Sequence, residues 1–205
     1  MKAVVFDLGK VLVDFDYSIA ARRIAARSRA TMDIAQFFIE HSPVLYRYEV
    51  GLITTEQFYE DVRERTGFLG DLQEFGQFFG DIFTPIPQMV ELHASLRQIG
   101  FPTYIFSNTN ELAIRHINAN FSFYANFDAY VLSYKEGAMK PDGKIYEAVE
   151  RATGCTGDDI LYIDDRPENI ATGVARGWRT IRHELPLKTI AAVEQLGLVT
   201  STKAP

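Results

Sequence analysis

The chain of 205 residues contains a single cysteine, Cys155, so a disulfide within the chain is excluded. Cys155 lies in a glycine-rich turn with no histidine or carboxylate pattern around it, and we expect an inert thiol. The sequence has no run of about 18 apolar residues, the length that a membrane-spanning helix requires. It also begins without the apolar stretch and small-residue cleavage site of a signal peptide. We therefore expect a cytoplasmic protein that does not associate with membranes.

Positive charge is in the minority, with 21 Lys and Arg against 27 Asp and Glu, for a net charge of -6. Nonspecific binding to nucleic acid requires a basic face, so this balance disfavours a nucleic-acid partner. Apolar residues make up 47% of the chain, as in an ordinary globular protein, which argues against intrinsic disorder. A chain of this length buries about two thirds of its unfolded surface, so a bound metal would serve chemistry rather than stability.

From about residue 86 onward, short apolar runs rich in β-formers alternate with helical patterns, and a similar run opens the chain. These patterns predict strands at 3–6, 103–106, 129–132, 160–163 and 180–181, and helices at 87–99, 110–119, 142–153 and 167–176. Strands that alternate with helices indicate right-handed crossovers. We therefore predict an α/β fold with a Rossmann-like, doubly wound parallel sheet.

The remaining segment, 16–84, shows no convincing strand pattern, and its sequence predicts consecutive helices. They are predicted near 17–29, 32–40, 54–66 and 71–80. Thr54 and Gln57 have the spacing of a capping box at the start of the third helix. The predicted organisation is an α/β core of residues 1–15 and 85–205, with a helical cap, 16–84, inserted after the first strand.

Polar residues follow the carboxyl ends of the predicted strands, where open α/β sheets bind ligands. They are Asp7, Ser107, Asn108, Lys140, Asp164 and Asp165. Carboxylates that converge in one cleft repel one another unless positive charge lies among them, and oxygen ligands of this type suit Mg²⁺. A lysine and a hydroxyl could bind phosphoryl oxygens, and an aspartate could attack phosphorus. Each residue alone could be a turn or a helix cap, but their coincidence favours a phosphoryl-transfer site.

Four segments, FDLGKVL, FSNTN, KPDGKIY and YIDDRPEN, occur in this order. Together they resemble the four sequence motifs of the haloacid dehalogenase superfamily, and the resemblance covers residues 2 to 190. Within the superfamily, the chain is similar to the bacterial sugar-phosphate phosphatases, including glucose-1-phosphate phosphatases, and to the phosphatase domain of soluble epoxide hydrolase. This closer similarity is based on three features: the DLG start, the VDFD that follows it and the Glu-x-Gly in the cap.

The resemblance implies a Mg²⁺-dependent phosphatase that hydrolyses a small phosphorylated metabolite, such as a sugar 1-phosphate, through an aspartyl-phosphate. Asp7 would be the nucleophile and a metal ligand. The Gly9 carbonyl and Asp165 would also bind Mg²⁺, and Asp164 would bind it directly or through water.

The resemblance also implies that Ser107 would donate a hydrogen bond to the phosphoryl group, with Asn108 beside it. Lys140 would neutralise the nucleophile and the phosphate oxygens. The helical cap would close over the cleft and select the leaving group. The resemblance specifies neither the metabolite nor an oligomeric state.

Gly9 departs from the family pattern, in which most phosphatases carry a second aspartate two residues after the nucleophile. That residue protonates the leaving oxygen and then activates water, help worth about 10²–10⁴-fold. We expect either a substrate with a stable leaving group or another acid, for which Asp14 and Asp16 are candidates. Lys10, where the family more often has Gly or Asn, is expected to be solvated.

Two alternatives remain at this point. A phospho-ligand binding or regulatory protein would result if catalysis were lost with the second acid. A 2-haloacid dehalogenase would also lack that acid, but dehalogenases typically replace the aspartate pair that is retained here.

Some polar residues of the cap carry weaker signals. Four arginines of its first helix are expected to form a solvated face, and three residues before a later turn are candidates to face the substrate. The four arginines are Arg22, Arg23, Arg27 and Arg29. The three candidates to face the substrate are Arg47, Tyr48 and Glu49.

Overall fold

The computed structural model describes residues 1–29 and 42–199. Its strands are β1 (Ala3–Phe6), β2 (Val13–Phe15), β3 (Phe83–Pro85), β4 (Thr103–Ser107), β5 (Ala129–Leu132), β6 (Ile160–Asp164) and β7 (Arg179–Arg182). Its helices are α1 (Tyr17–Ala26), α2 (Pro43–Glu49), α3 (Thr55–Thr66), α4 (Leu72–Gly80), α5 (Pro87–Gln98), α6 (Glu111–Asn120), α7 (Ser133–Glu136), α8 (Gly143–Thr153), α9 (Pro167–Ala175) and α10 (Pro186–Gln195). No helix within the described ranges has the length and apolar character needed to cross a membrane.

The main sheet has five strands in the order β5-β4-β1-β6-β7, and every neighbouring pair is parallel. The central strand β1 is fully buried, because helices cover both faces of the sheet. The sequence prediction of a doubly wound α/β sheet is therefore confirmed. The carboxyl ends of β4, β1 and β6 lie side by side, which places the residues that follow them at one edge.

The predicted core helices form, and each of their ends lies within one residue of the predicted end. Helix α9 begins at Pro167, whose missing N–H costs nothing in the first turn, and α8 ends where Gly154 adopts a left-handed conformation. The sequence patterns did not predict the short helix α7 or the helix α10. Helix α7 spans only four residues, too few to show a helical period.

The inserted segment contains helices α1, α3 and α4 near their predicted positions, and the capping box of Thr54 and Gln57 is present. Helix α2 was not predicted, and the predicted helix at 32–40 lies outside the described residues. These helices have their own apolar core, in which the rings of Tyr48 and Phe58 stack 4.5 Å apart. The domain boundaries at 16 and 84 remain predictions.

A two-stranded antiparallel ribbon of β2 and β3 lies at the two points where the chain passes between the sheet and the inserted helices. Phe15 pairs with Phe83, and Val13 pairs with Pro85. The prediction of an all-helical insertion missed this ribbon, because strands of three residues are too short for an alternating pattern.

Tyr48 connects the inserted helices to helix α6 of the core. Its hydroxyl accepts a hydrogen bond from the Leu112 amide at 3.1 Å and lies 2.8 Å from the Thr55 hydroxyl. Thr55 in turn donates to Glu111 at 2.6 Å. These contacts hold α2 and α3 against the start of α6, so Tyr48 is a packing residue and the prediction that it faces substrate was wrong.

His93 is buried beneath the sheet, where its ring stacks 3.9 Å from that of Phe127 and Nε2 lies 3.1 Å from the Thr103 hydroxyl. Burial, with the nearby charge of Arg97, lowers the pKa of His93 to about 4. In the unfolded chain the His93 imidazole has its ordinary pKa of about 6.5 and therefore binds a proton more readily than in the folded protein. The contribution of neutral His93 to stability is thus full above pH 6.5 and falls as the pH drops towards 4.

Between pH 7 and pH 4.5, we expect the free energy of unfolding to fall by about 2 kcal/mol more in the parent than in His93→Gln. Urea unfolding at pH 7 and pH 4.5 measures the difference. Equal pH dependence of the two proteins would contradict this assignment.

Candidate active site

The predicted polar residues meet at one edge of the sheet, beyond the strands that carry them. Asp7 follows β1, Ser107 ends β4, and Asp164 ends β6. The Asp7 amide donates to the Ile163 carbonyl at 2.9 Å, which extends the pairing of β1 with β6 to the site itself. Lys140 lies between α7 and α8, and its side chain reaches the same edge.

Lys140 bridges two aspartates from different strands. Its Nζ lies 3.0 Å from Asp7 Oδ1 and 2.6 Å from Asp164 Oδ2, and it donates to the Phe106 carbonyl at 3.0 Å. The side chain is almost fully buried. Burial alone lowers the pKa of Lys140, but the charges of Asp164 and Asp7 outweigh it and raise that pKa above its ordinary value. The amine is therefore a permanent cation in this cluster.

Asn108 fixes the backbone of Lys140 from both sides. The Lys140 amide donates to Asn108 Oδ1 at 2.7 Å, and Asn108 Nδ2 donates to the Lys140 carbonyl at 3.0 Å. This two-bond clamp joins the end of β4 to the loop before α8. Ser107, beside it, is buried and lines the same cavity, and its hydroxyl lies 3.3 Å from the Asn108 carbonyl.

Protein donors surround the fully buried carboxylate of Asp164. Besides Lys140, it accepts hydrogen bonds from the Tyr162 hydroxyl, from Asn169 Nδ2 at 3.0 Å and from the Arg166 amide at 2.8 Å. Burial raises the pKa of Asp164, but the Lys140 charge and these hydrogen bonds hold it below its ordinary value. Sequence reasoning did not single out Asn169, although its place in the segment YIDDRPEN is a usable signal.

The carboxylates of Asp7 and Asp165 accept fewer hydrogen bonds than that of Asp164. Asp7 Oδ1 accepts from the Leu8 amide at 2.7 Å. Burial raises the pKa of Asp7; Lys140 lowers it, and Asp164 and Asp165 raise it further, so that the net shift is upward. Burial and the charge of Asp164 also raise the pKa of Asp165.

The carboxylates of Asp7, Asp164 and Asp165 each place an oxygen within 4.8 Å of the others. A cluster of three acidic oxygens beside a single amine has excess negative charge, and hard oxygen donors suit a divalent cation such as Mg²⁺. The residues present therefore fit the metal that the sequence implies.

A cavity of about 400 Å³ opens onto this cluster between the sheet edge and the inserted helices. Asp7, Gly9, Ser107, Asn108, Lys140 and Asp165 all line it, as do Arg166 and Asn169. Further lining residues come from the insertion and the ribbon. The residues there are Phe15, Tyr17, Leu45, Tyr46, Glu49 and Phe83.

Neither proposed substitute acid lies among the residues that line the cavity. Asp14 is paired with Lys10 and accepts from the Phe15 amide at 2.8 Å, and these bonds lower its pKa. Asp16 caps α1 by accepting from the Ser18 amide at 2.8 Å. The structure thus gives both carboxylates other roles, and the expectation that one of them replaces the second acid is not supported.

The four arginines in and just after α1 lie at the surface, in keeping with the predicted solvated face, and two of them form ion pairs within the insertion. Arg23 pairs with Asp81 at 3.0 Å, and Arg27 pairs with Glu74 at 3.1 Å. Arg22 and Arg29 are exposed. The two remaining candidates to face the substrate, Arg47 and Glu49, differ in their position. Arg47 is exposed and lies 3.6 Å from Asp61, whereas Glu49 lines the cavity.

A family model for haloacid dehalogenase-like hydrolases matches residues 1–177. The chain is 24% identical over 191 residues to D-ribitol-5-phosphate phosphatase of Bacteroides thetaiotaomicron, covering 90% of this chain and 92% of that protein. It is 24% identical over 207 residues to acyl-CoA dehydrogenase family member 10 of Mus musculus, covering 95% of this chain but 19% of that protein.

Among solved structures, the fold is similar to a haloacid dehalogenase family enzyme from Bacteroides thetaiotaomicron in complex with magnesium and inorganic phosphate. The TM-score is 0.78 at 23% sequence identity, and the match covers 90% of this chain and 94% of that one. With the parallel sheet, the inserted helices and the family match over residues 1–177, the chain belongs to the haloacid dehalogenase-like hydrolases.

Proposed function

We propose that this protein is a Mg²⁺-dependent phosphatase that hydrolyses a small phosphorylated metabolite through an aspartyl-phosphate on Asp7. The observation that carries the proposal is the buried cluster in which Lys140 bridges Asp7 and Asp164 beside Asp165. This cluster combines a nucleophilic carboxylate, a fixed cation and oxygen donors for a metal. The similarity to D-ribitol-5-phosphate phosphatase supports a phosphate ester as substrate.

Asp7, Asp165 and the Gly9 carbonyl would hold Mg²⁺, which would neutralise negative charge on the phosphoryl oxygens and on the carboxylates. Asp164 differs from the other two aspartates, because protein donors already occupy its oxygens. We therefore assign Asp164 to positioning Lys140, with any contact to the metal made through water.

In the first step, a carboxylate oxygen of Asp7 attacks phosphorus, the bond from phosphorus to the leaving oxygen breaks, and that oxygen takes a proton from solvent. Lys140, protonated because of its two aspartate neighbours, stabilises negative charge on the nucleophile and the transferring phosphoryl group. The Ser107 hydroxyl and Asn108 would orient the remaining phosphoryl oxygens. Water then attacks phosphorus and loses a proton to solvent, and the bond from phosphorus to Asp7 breaks, which releases phosphate and restores the carboxylate.

The cavity supports a small organic leaving group. A volume of about 400 Å³ is in the range of small-molecule sites, and apolar side chains such as Leu45 and Phe83 are among its lining residues. Glu49 and two tyrosine side chains, Tyr17 and Tyr46, provide hydrogen-bonding groups on the wall formed by the insertion. This combination suits a hydroxylated metabolite, such as a sugar monophosphate, whose hydroxyls need acceptors.

Phosphate release from p-nitrophenyl phosphate and from a panel of sugar phosphates tests the proposal. We expect EDTA to reduce the rate by about 10³-fold and added Mg²⁺ to restore it, because the metal contributes several kcal/mol to transition-state stabilisation. Release that survives EDTA would refute the metal-dependent mechanism.

Two other outcomes would favour the alternative functions. Mg²⁺ or phosphate binding without turnover on any substrate would indicate a binding protein. Halide release from 2-chloropropionate without metal would indicate a dehalogenase.

A further inference from the structure

An aromatic ring fills the space beside Gly9, where the resemblance places a second carboxylate. A Cβ atom at Gly9 would lie 2.8 Å from Phe15 Cε1 and 3.5 Å from Cδ1. The ring is held by its neighbours, with centroids 5.9 Å from Phe83 and 5.4 Å from Tyr17. Phe15 therefore presents a hydrocarbon surface at a position from which a carboxylate would activate water.

The acidic side chains nearby have other roles. Asp14 and Asp16 are hydrogen-bonded outside the cavity. Among the described residues that line the cavity, the carboxylates are those of Asp7, Asp165 and Glu49. Asp7 and Asp165 belong to the aspartate cluster, and Glu49 lies on the insertion, where Tyr17 Oη is 3.5 Å from Oε1. Glu49 is not part of that cluster, and we assign it to contacts with the leaving group.

A water molecule that attacks phosphorylated Asp7 must lose a proton, and a positioned base accelerates such a step by about 10²–10⁴-fold. We infer that hydrolysis of the phosphorylated Asp7 is the slow step, and that this intermediate passes its phosphoryl group to alcohols bound in the cavity. The protein is then a phosphotransferase as well as a hydrolase. This inference rests on the proposed function, because it requires the aspartyl-phosphate.

An alcohol has an advantage over water because the cavity binds it. Residues such as Leu45 and Tyr46 form a wall that would hold an organic acceptor where the leaving group had been. Binding raises the effective concentration of its hydroxyl beside phosphorus. In the transfer, the acceptor oxygen forms a bond to phosphorus, the bond from phosphorus to Asp7 breaks and restores the carboxylate, and the hydroxyl proton passes to solvent. This step is the reverse of the first with a new alcohol.

Rapid mixing with p-nitrophenyl phosphate and Mg²⁺ tests the inference. We expect a burst of nitrophenol that approaches one equivalent per enzyme, followed by a slower steady state. Acid-quenched protein should gain the mass of one phosphoryl group, which hydroxylamine removes. Adding glycerol or glucose should raise the steady-state release of nitrophenol about tenfold, with the excess over inorganic phosphate recovered as a phosphorylated alcohol.

Two double variants provide a matched comparison. Gly9 is outside the left-handed region, so its backbone accepts a side chain once the ring is reduced. Gly9→Asp with Phe15→Leu should speed phosphate release by about 10²-fold and remove the burst, as expected from restoring a general base. Gly9→Ala with Phe15→Leu has the same space but no acid, and should not gain the faster phosphate release.

Linear kinetics with equal nitrophenol and phosphate at every glycerol concentration would overturn this inference and leave the phosphatase proposal intact. Absence of both nitrophenol and phosphoenzyme would overturn the proposed function and this inference with it. If the double variants do not fold, the burst and the product ratio of the parent protein still decide.

Discussion

Asp7→Asn should abolish phosphate release, with a loss of about 10⁴-fold or more, as expected when a nucleophile is removed. An amide nitrogen replaces one carboxylate oxygen and cannot form an acyl phosphate, so nitrophenol release and phosphoenzyme formation should disappear together. The matched control is Asp158→Asn on the surface, where an exposed aspartate lies 3.3 Å from Arg179. This control should retain the parent rate.

Stability measurements separate loss of chemistry from loss of fold. Burial and the neighbouring aspartates raise the pKa of Asp7 above its unfolded value, so its stabilising contribution is full at low pH and is lost as the pH rises. Without Mg²⁺, Asp7→Asn should therefore be at least as stable as the parent, and its advantage should be larger at pH 8 than at pH 5. A variant that is both inactive and less stable at pH 8 would contradict this account of the cluster.

Lys140→Met should reduce the rate of phosphate release by about 10³-fold, because it removes a buried donor at the site of developing charge. It should also lower the free energy of unfolding at pH 8 by about 3–5 kcal/mol, the usual cost of leaving buried partners without their counter-charge. The physical cause is that Asp7 and Asp164, within 3.0 Å and 2.6 Å of Lys140 Nζ, would face each other with no cation between them.

Urea unfolding and steady-state kinetics, each with and without Mg²⁺, measure these effects. Mg²⁺ should recover part of the lost stability but little of the activity, since it supplies charge without the lysine donor. Lys144→Met, an exposed lysine in the same segment, is the control and should change stability by less than about 0.5 kcal/mol. If both variants behave alike, the buried amine does not have the central electrostatic role assigned to it.

The parts of this site that sequence reasoning located are those that depend on strand order. Asp7, Ser107 and Asp164 each stand where a buried apolar run ends. Parallel strands bring their carboxyl ends to one edge, so hydrophobic runs and the residues after them predict a cluster without coordinates. Lys140 was harder, since it stands eight residues beyond β5, and its resemblance to a family motif strengthened the link with phosphate chemistry that its place after a strand had suggested.

Other features depend on contacts between segments that are distant along the chain. The β2 and β3 strands are three residues each, and α2 has seven, so none is long enough to produce a reliable period. Glu49 was one of three adjacent candidates, and only the packing of Tyr48 into the interior of the insertion separates it from its neighbours.

Hydrophobic periodicity and the order of polar strand ends were sufficient to predict the doubly wound sheet, the inserted helices and the acidic edge, because these follow from local pattern and chain topology. The different surroundings of Asp164 and Asp165, and the ring of Phe15 against Gly9, became visible only in the folded chain. They arise where side chains far apart in sequence come within hydrogen-bonding or van der Waals distance. Burial and the donors gathered there, which no single segment specifies, set the pKa of each carboxylate.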